Sequence, residues 1–520
     1  DAGNVYSLFR DREGSIWFGT FGMGVVRYDG DALTTFDTGK KLATDVLQDR
    51  QGNIWFAGWD SSGSGPQGVL SRYDGEVFTI FTAEDGLTDG RVACLLQDRR
   101  GDMWFGYYGR GRGATRYDGR TFTTFALEDG LPARSVMAII EDSNGDLWFA
   151  HHGIYGPGDN PFSRVTRFQA GDSRVQGRFT TFTGADGLPM HVDGAFRDRD
   201  GTLWFGGKGG LARFNPPSES DLKPASGPGP DSVAFTTIDG LPWSHIFEIY
   251  QDREGALWLS PSGDGVTRYD PRGRSARTAQ SGQSTQTSAS TVKDLPAPFV
   301  DTGEGEQEPA EDGQISFRTY TREDGLLSSR VYPVLEDSGG HFWFGTIDGG
   351  VSRFDGKVLI TLTEEDGAFE TIRSSHRDRD GTLWFASPRG LARYRQPPPV
   401  PPPVFVDAVV TDRRYQEASE VSVPSAFGFV AFEFRGISFK TRPEAMVYRY
   451  RLKGYDEWTN THSRRIEYRD LPRGSYTFEV LAADRDLVYS EDPATLELTV
   501  HLPSERPAWL TAPRLPAILL

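Results

Sequence analysis

The sequence predicts an all-β chain: an eight-bladed β-propeller followed by an immunoglobulin-like β-sandwich. Three observations carry this reading. A short Asp-x-x-Gly-x-x-Trp stretch occurs eight times between Asp11 and Trp384. Each copy stands in the same order of apolar runs and turn residues. Beyond a proline run at 397–403 the repeat stops and short strands of a different kind begin. Four strands in about 40–50 residues, repeated, mark a propeller.

The copies begin at Asp11, Asp49, Asp98, Asp142, Asp198, Asp252, Asp337 and Asp378, each leading to a Trp: Trp17, Trp55, Trp104, Trp148, Trp204, Trp258, Trp343 and Trp384. Strand a is the apolar run ahead of the turn, such as Val92–Leu96 or Val136–Ile140. The turn suits a tight hairpin, because Asp bonds its own backbone and Gly reaches positive φ. Strand b, as in Ile16-Trp17-Phe18 or Leu203-Trp204-Phe205, is apolar on both faces, as a strand sandwiched between blades must be. Strand c ends in Arg-Tyr or Arg-Phe, from Arg27-Tyr28 to Arg393-Tyr394. Strand d is a Phe/Thr run, such as Phe78–Phe81 or Phe122–Phe125, and Asp-Gly-Leu closes the unit, as at Asp85–Leu87. β-Branched and aromatic enrichment favours strands throughout. Nothing like strand d precedes Val5 or follows Tyr394, so the last blade is expected to be one strand short, with its closing strand N-terminal to Asp1. The alternative is a seven-bladed ring, with one copy left over from a preceding propeller.

Asp-x-x-Gly-x-x-Trp-Phe-Gly-Thr, then Gly-Val-x-Arg-Tyr-Asp-Gly, then Phe-Thr-x-Phe-Thr-x-x-Asp-Gly-Leu, resembles the two-component regulator propeller repeat, over residues 1–396. After the proline run, which is a stiff polyproline-type linker, residues 404–503 read as a sandwich. Phe427–Phe434 and Val447–Leu452 alternate at period two. Within it, Tyr450-Arg-Leu-Lys-Gly-Tyr455-Asp-Glu-Trp458 and Leu471-Pro-x-Gly-x-Tyr476-x-Phe resemble the tyrosine-rich immunoglobulin-like module that follows such propellers. Together the two resemblances imply the periplasmic sensor region of an inner-membrane signalling protein, most often of the histidine-kinase type. They imply work in pairs, hence a homodimer through the sandwich on the Tyr- and Phe-bearing strands of 427–480. They also imply that 504–520, which contains Trp509 and ends Leu515–Leu520, is a juxtamembrane segment leading into a transmembrane helix.

Composition narrows the function. Lys and Arg number 56 against 73 Asp and Glu, a net charge of −17, which disfavours nucleic acid as a partner. No apolar run reaches the roughly 18 residues needed to span a bilayer. The single Cys94 sits in a strand-a run and reads as a small core residue. Two polar tracts, 215–230 and 271–314, lie between strands c and d and read as tolerated surface insertions. Asp142-Ser-Asn-Gly-Asp146 has oxygen ligands at alternate positions, as calcium loops do, but lacks the bidentate Glu and reads as a turn. His151-His152 is the only adjacent His pair, and no triad or nucleophile elbow is specified. No cofactor, metal or catalytic residue is therefore expected.

In an up-and-down blade the a–b and c–d turns share one face, and the b–c and d–a connections share the other. The regular motifs fall on the first. The second carries the irregular residues: Trp59, Tyr107, Tyr108, Arg110, Arg112, His151, His152 and Tyr155 in repeats 2 to 4, then Trp243 and His245 after repeat 5. Variable loops on a rigid scaffold are where binding usually lives, and aromatics with a few polar partners suit a small molecule or oligosaccharide. Ligand sensing without catalysis is the reading this favours. A propeller enzyme (a lyase or glycan hydrolase) and a protein-interaction scaffold are the alternatives, because the fold hosts all three.

Overall fold

The computed structural model describes residues 4–502 apart from 37, 39–40, 61–66, 89, 109–112, 132–134, 152–163, 172–176, 215–234, 239–240, 242–244, 262, 264, 273–315 and 426–427. It is all-β and divides into two compact units: among the described residues, the first takes the chain up to Arg395 except Gly356–Ile360, and the second takes Gly356–Ile360 and the chain from Gln396. The expected insertions at 215–230 and 271–314 and the C-terminal segment from Pro503 fall almost wholly outside the described residues.

In the first unit the strands fall, among the described residues, into eight antiparallel groups in chain order. Strand a is Asn4–Arg10, Lys41–Gln48, Arg91–Gln97, Val136–Glu141, Met190–Arg197, Ile246–Gln251, Val331–Glu336 and Ser374–Arg377 in turn. Neighbouring a strands touch one another, including the first and the eighth, so strand a is innermost. Strand d lies at the opposite edge of each group, and the eighth group has strands a to c only. The first two groups are continuous, because Phe21 at the end of one pairs with Leu42 at the start of the next.

One side-chain module explains the repeat. Asp11 Oδ1 accepts the backbone N–H of Ser15 at 2.7 Å and shapes the turn, where Gly14 takes φ 102°. Its Oδ2 accepts the indole N–H of Trp17 at 2.7 Å. The same indole bond, at 2.7–3.0 Å, joins Asp49 to Trp55, Asp98 to Trp104, Asp142 to Trp148, Asp198 to Trp204, Asp252 to Trp258 and Asp337 to Trp343. Each of these seven Trp can therefore be buried without an orphaned donor. The strand-d aromatic stacks on it within its own blade, as Phe81 does on Trp55 at 5.7 Å. The strand-c Arg lies over the ring, as Arg72 does at 5.8 Å.

The same Trp reaches the next blade. Trp55 packs on Phe105 and Tyr117, Trp104 on Phe149 and Phe168, Trp343 on Phe385 and Tyr394. Trp384 of the last group packs on Phe18 and Tyr28 of the first, in a cluster with Val5 and Ile16. The Asp-Gly-Leu segment adds a plug. A one-turn 3₁₀ helix, Ala83–Asp85, is closed by Gly86 at φ 106°, and the following Leu87 is buried.

The turn face carries a second set of ties. The Arg after the Asp donates its backbone N–H to the Gln or Glu that ends the next blade's strand a: Arg12 to Gln48, Arg50 to Gln97, Arg99 to Glu141, Arg199 to Gln251 and Arg253 to Glu336, at 2.8–3.1 Å. Its guanidinium reaches carbonyls of the next turn, as Arg50 does to Arg99 O at 2.9 Å. Repeats 4 and 7 have Ser143 and Ser338 there. At those seams the tie runs backwards: Arg197 reaches Glu141 O at 3.4 Å and Arg377 reaches Glu336 O at 2.7 Å. In the Asp142–Asp146 turn every hydrogen bond is of this structural kind, with Asp146 Oδ2 taken by the Arg167 guanidinium at 2.6 Å. Closer to the axis, strand-a polar groups bond across the seams. Asp45 Oδ2 accepts the Leu95 N–H at 2.9 Å, Glu248 accepts that of Val334, and Cys94 Sγ lies 3.8 Å from Val136 O. Burial pushes the Cys94 thiol far above its usual range.

The second unit packs two sheets. One orders Arg414–Gln416, Val404–Val410, Phe429–Gly436 and Arg465–Arg469; the other orders Glu420–Pro424, Ala494–His501, Gly474–Ala483, Val447–Lys453 and Thr459–Thr461. Phe432 stacks on Phe478 at 4.0 Å, within a core that also holds Phe434, Tyr448, Tyr450 and Leu452. The buried tyrosines pair their hydroxyls: Tyr468 donates to Asp456 Oδ2 and Tyr476 to Pro472 O, while Tyr448 accepts the Gly436 N–H. The proline segment is tied to this unit rather than free, through Ile437 N to Pro403 O at 3.0 Å and Lys440 Nζ to Pro398 O at 3.2 Å.

Two predictions follow from the packing. Trp204→Ala removes a ring 1% exposed and the indole N–H that Asp198 Oδ2 accepts, and should cost ~3–5 kcal/mol; Trp59→Ala, at the partly buried end of Ile54–Asp60, should cost less. Chemical denaturation of both variants checks the order. The second concerns Glu248, whose carboxyl is raised from 4.5 to about 7 by burial, against the Val334 N–H, which lowers it. The folded chain thus holds a proton that the unfolded chain releases. The resulting stability is complete below the ordinary Glu range and is lost as pH rises through about 7. Relative to the wild type, Glu248→Gln should gain stability steadily as pH rises from about 4 to about 8, with the difference levelling off above about 7, read as urea midpoints.

Candidate ligand-binding face

The strand order puts the starts of a and the ends of b opposite the Asp-x-x-Gly turns, and two clusters form there. Trp59, near the end of the second strand b, lies under the Arg91 guanidinium, 4.7 Å from ring centroid to Cζ. Arg91 opens strand a of the next blade and is the Cα partner of Tyr108. Tyr108 ends its strand 36% exposed. A cation held over an indole beside a phenol thus spans one blade seam, a geometry suited to flat or carbohydrate ligands.

The second cluster gathers around His245. Its Nε2 pairs with the Asp193 carboxylate. Its ring stacks on Phe247 at 4.2 Å, with the His191 ring centroid 6.4 Å away. Phe247 in turn meets Tyr332 at 5.7 Å. Phe247 and Met190 are exposed at 36% and 47%. Burial, reinforced by the nearby Glu248 charge, pushes the Tyr332 phenol up to about 12.

The sequence-predicted residues divide three ways. Trp59, Tyr108 and His245 stand in these clusters. Tyr107 and His151 belong to the packing instead, because strand b continues through both. Tyr107 is fully buried and donates to Thr115 Oγ1 at 3.0 Å, and burial pushes its phenol up to about 12. His151 bonds Ser135 O at 3.2 Å and Thr166 Oγ1 at 2.9 Å; burial pulls it down to about 4, so it is a neutral imidazole at pH 7. Arg110, Arg112, His152, Tyr155 and Trp243 lie outside the described residues. Sequence reasoning missed Arg91, His191, Asp193, Phe247 and Tyr332. For Arg91, His191 and Asp193 the available signal was a polar residue inside a strand-a run that is otherwise apolar.

Among the described residues no three His, Cys, Asp or Glu side chains converge as a metal site, and no helix is long and apolar enough to cross a membrane.

The two component regulator propeller family model matches residues 1–22, 86–109 and 130–153, and the Y_Y_Y domain model matches 440–501. Among curated proteins, Histidine kinase P4 of Formosa agariphila is 26% identical over 220 residues, which span 38% of this chain and 16% of that protein. Among solved structures, the extracellular domain of the putative hybrid two component system BT3049 of B. thetaiotaomicron is 17% identical, with 95% of this chain and 78% of that one covered and a TM-score of 0.26. PorZ, a bacterial surface component of the type-IX secretion system of Porphyromonas gingivalis, is 14% identical, with 94% and 64% covered and a TM-score of 0.42. The chain carries two component regulator propeller repeats and, after them, a Y_Y_Y domain.

Proposed function

We propose that this chain is the extracytoplasmic, periplasmic ligand-sensing region of a transmembrane signalling protein of the histidine-kinase type. It binds a small molecule or oligosaccharide on the face opposite the Asp-x-x-Gly turns. The observation that carries the reading is the contrast between the faces. The turn face is tied by repeated backbone and guanidinium bonds, whereas the other presents Arg91 stacked on Trp59 beside exposed Tyr108, and His245 on exposed Phe247. The sequence likeness to Histidine kinase P4 supports the output class. Signalling needs two arrangements that the ligand binds unequally, and a pair of chains meeting through the sandwich supplies them. Phe432, Phe434, Tyr448 and Phe478 fill the core, so the paired surface rests instead on the exposed Phe405, Ile437 and Phe439.

A propeller enzyme remains the second reading, and the His245–Asp193 pair is what favours it: a carboxylate orients an imidazole as in general-base sites. One experiment separates the two. An oligosaccharide array followed by calorimetry should find a ligand that is bound and recovered unchanged. Trp59→Ala combined with Tyr108→Ala should weaken that binding at least tenfold while leaving the melting temperature within a few degrees. Turnover of the ligand that His245→Ala abolishes would replace sensing with catalysis, and undiminished binding by the double variant would move the site off this face.

A further inference from the structure

The seam between the last and first blades differs from the others on the turn face. Where five seams place a Gln or Glu to receive the turn Arg, this one places Arg10 opposite Arg379. Arg379 keeps the guanidinium tie, to Arg12 O at 3.2 Å, but its backbone N–H turns back to Asp378 Oδ1. Arg10 also takes Asp378, Nε to Oδ1 at 2.7 Å. Asp378 is thereby drawn off Trp384. That indole N–H is buried with no hydrogen-bond partner among the described residues, whereas its seven counterparts are all bonded to their Asp.

Beside this seam lies a concavity of about 300 Å³, lined by Arg10, Arg12, Arg377 and Arg379 with Gln48 and His376. Its lining carboxylate, Asp11, is already committed to Ser15 N–H and Trp17 Nε1–H. His376 Nε2 is buried there without a hydrogen-bond partner among the described residues. Four arginines thus line one concavity, together with Phe9, in a chain of net charge −17; among the described residues each guanidinium makes one bond to the protein, Arg10 to Asp378, Arg12 to Arg50 O, Arg377 to Glu336 O and Arg379 to Arg12 O, and has further N–H groups to offer. Arginine's planar fork matches oxyanions in two-point fashion, so the hollow has the chemistry of an anion site.

We propose that the closure seam binds an oxyanion, a sulfate, phosphate or carboxylate group borne by a ligand or free in solution. The anion supplies the acceptor that Gln or Glu supplies at the other seams. By engaging Arg10 it releases Asp378 to accept the Trp384 indole N–H, so that the eighth repeat becomes like the other seven and the ring closes more tightly. This site lies on the face opposite the one argued above and stands or falls separately from it.

The test titrates the whole chain with sodium sulfate, sodium phosphate and sodium acetate, against sodium chloride at matched ionic strength. Melting temperature and the Trp384 indole N–H resonance are followed, the latter assigned with Trp384→Phe. A saturable rise in melting temperature, with a downfield shift of that resonance, is expected for at least one oxyanion and absent for chloride. Which salts act distinguishes tetrahedral from carboxylate groups. Arg10→Gln installs the residue found at positions 48, 97 and 251, so it should fold and should lose the saturable response. Arg12→Gln, at an exposed position, should weaken binding about tenfold or more through the loss of charge-assisted bonds. Equal shifts with chloride, meaning an ionic-strength effect only, would overturn the proposal. So would saturable binding that neither variant weakens.

Discussion

The first unit depends on one hydrogen bond, from the indole N–H of strand b to the Asp that opens the turn before it. A Trp is large enough to fill a blade and touch the next, but its N–H would be costly to bury alone. The Asp removes that cost, and the carboxylate's other oxygen fixes the hairpin. One residue therefore settles turn, burial and blade contact together. This explains why Asp, Gly and Trp recur while many positions between them vary. The contact is directional: each Trp meets aromatic or Leu side chains of the following blade, and the last meets those of the first. Where the Asp is diverted, at Asp378, the next strand a ends in Arg10 instead of the Gln or Glu that receives the turn Arg at five other seams.

Regularity on one face releases the other. The turn face is occupied by its own backbone and guanidinium bonds, repeated from blade to blade. The opposite face has bonds that tie particular connections, such as Gly265 N–H to Ser329 O at 2.8 Å and Ile372 N–H to Thr346 O at 2.7 Å. Its residues differ among repeats, and it is there that Trp59, Arg91 and Tyr108, and again Asp193, His245 and Phe247, come together from different blades.

Much of this was legible in the sequence, because a repeat that carries its own turn, cap and core residue announces each strand locally. The sandwich was legible from its period-two runs and its tyrosines. The indole bond was not. Asp-x-x-Gly read alone explains a turn, and only the folded chain brings Asp11 Oδ2 beside Trp17. The site was half legible. Side chains at the ends of b strands, Trp59 and Tyr108, could be assigned to a face by counting. Whether Tyr107 or His151 pointed inward depended on how far strand b runs, and it stays paired through both because the neighbouring strand a takes up the register shift with an extra residue, Ala93 beside Tyr107. Arg91, His191 and Asp193 escaped notice because contacts between neighbouring a strands join residues tens of positions apart, which no local pattern reports.

The central claim is that each Trp holds its blade to the next, with the last holding to the first in the same way. A double-mutant cycle tests it directly, pairing Trp384 with Tyr28 across the closing seam and Trp55 with Tyr117 across an interior one. The account predicts favourable coupling of about 0.5–1.5 kcal/mol at both seams, the range for aromatic pairs. Coupling at Trp55–Tyr117 with none at Trp384–Tyr28 would contradict it, because the first and last blades would then not be joined as the others are.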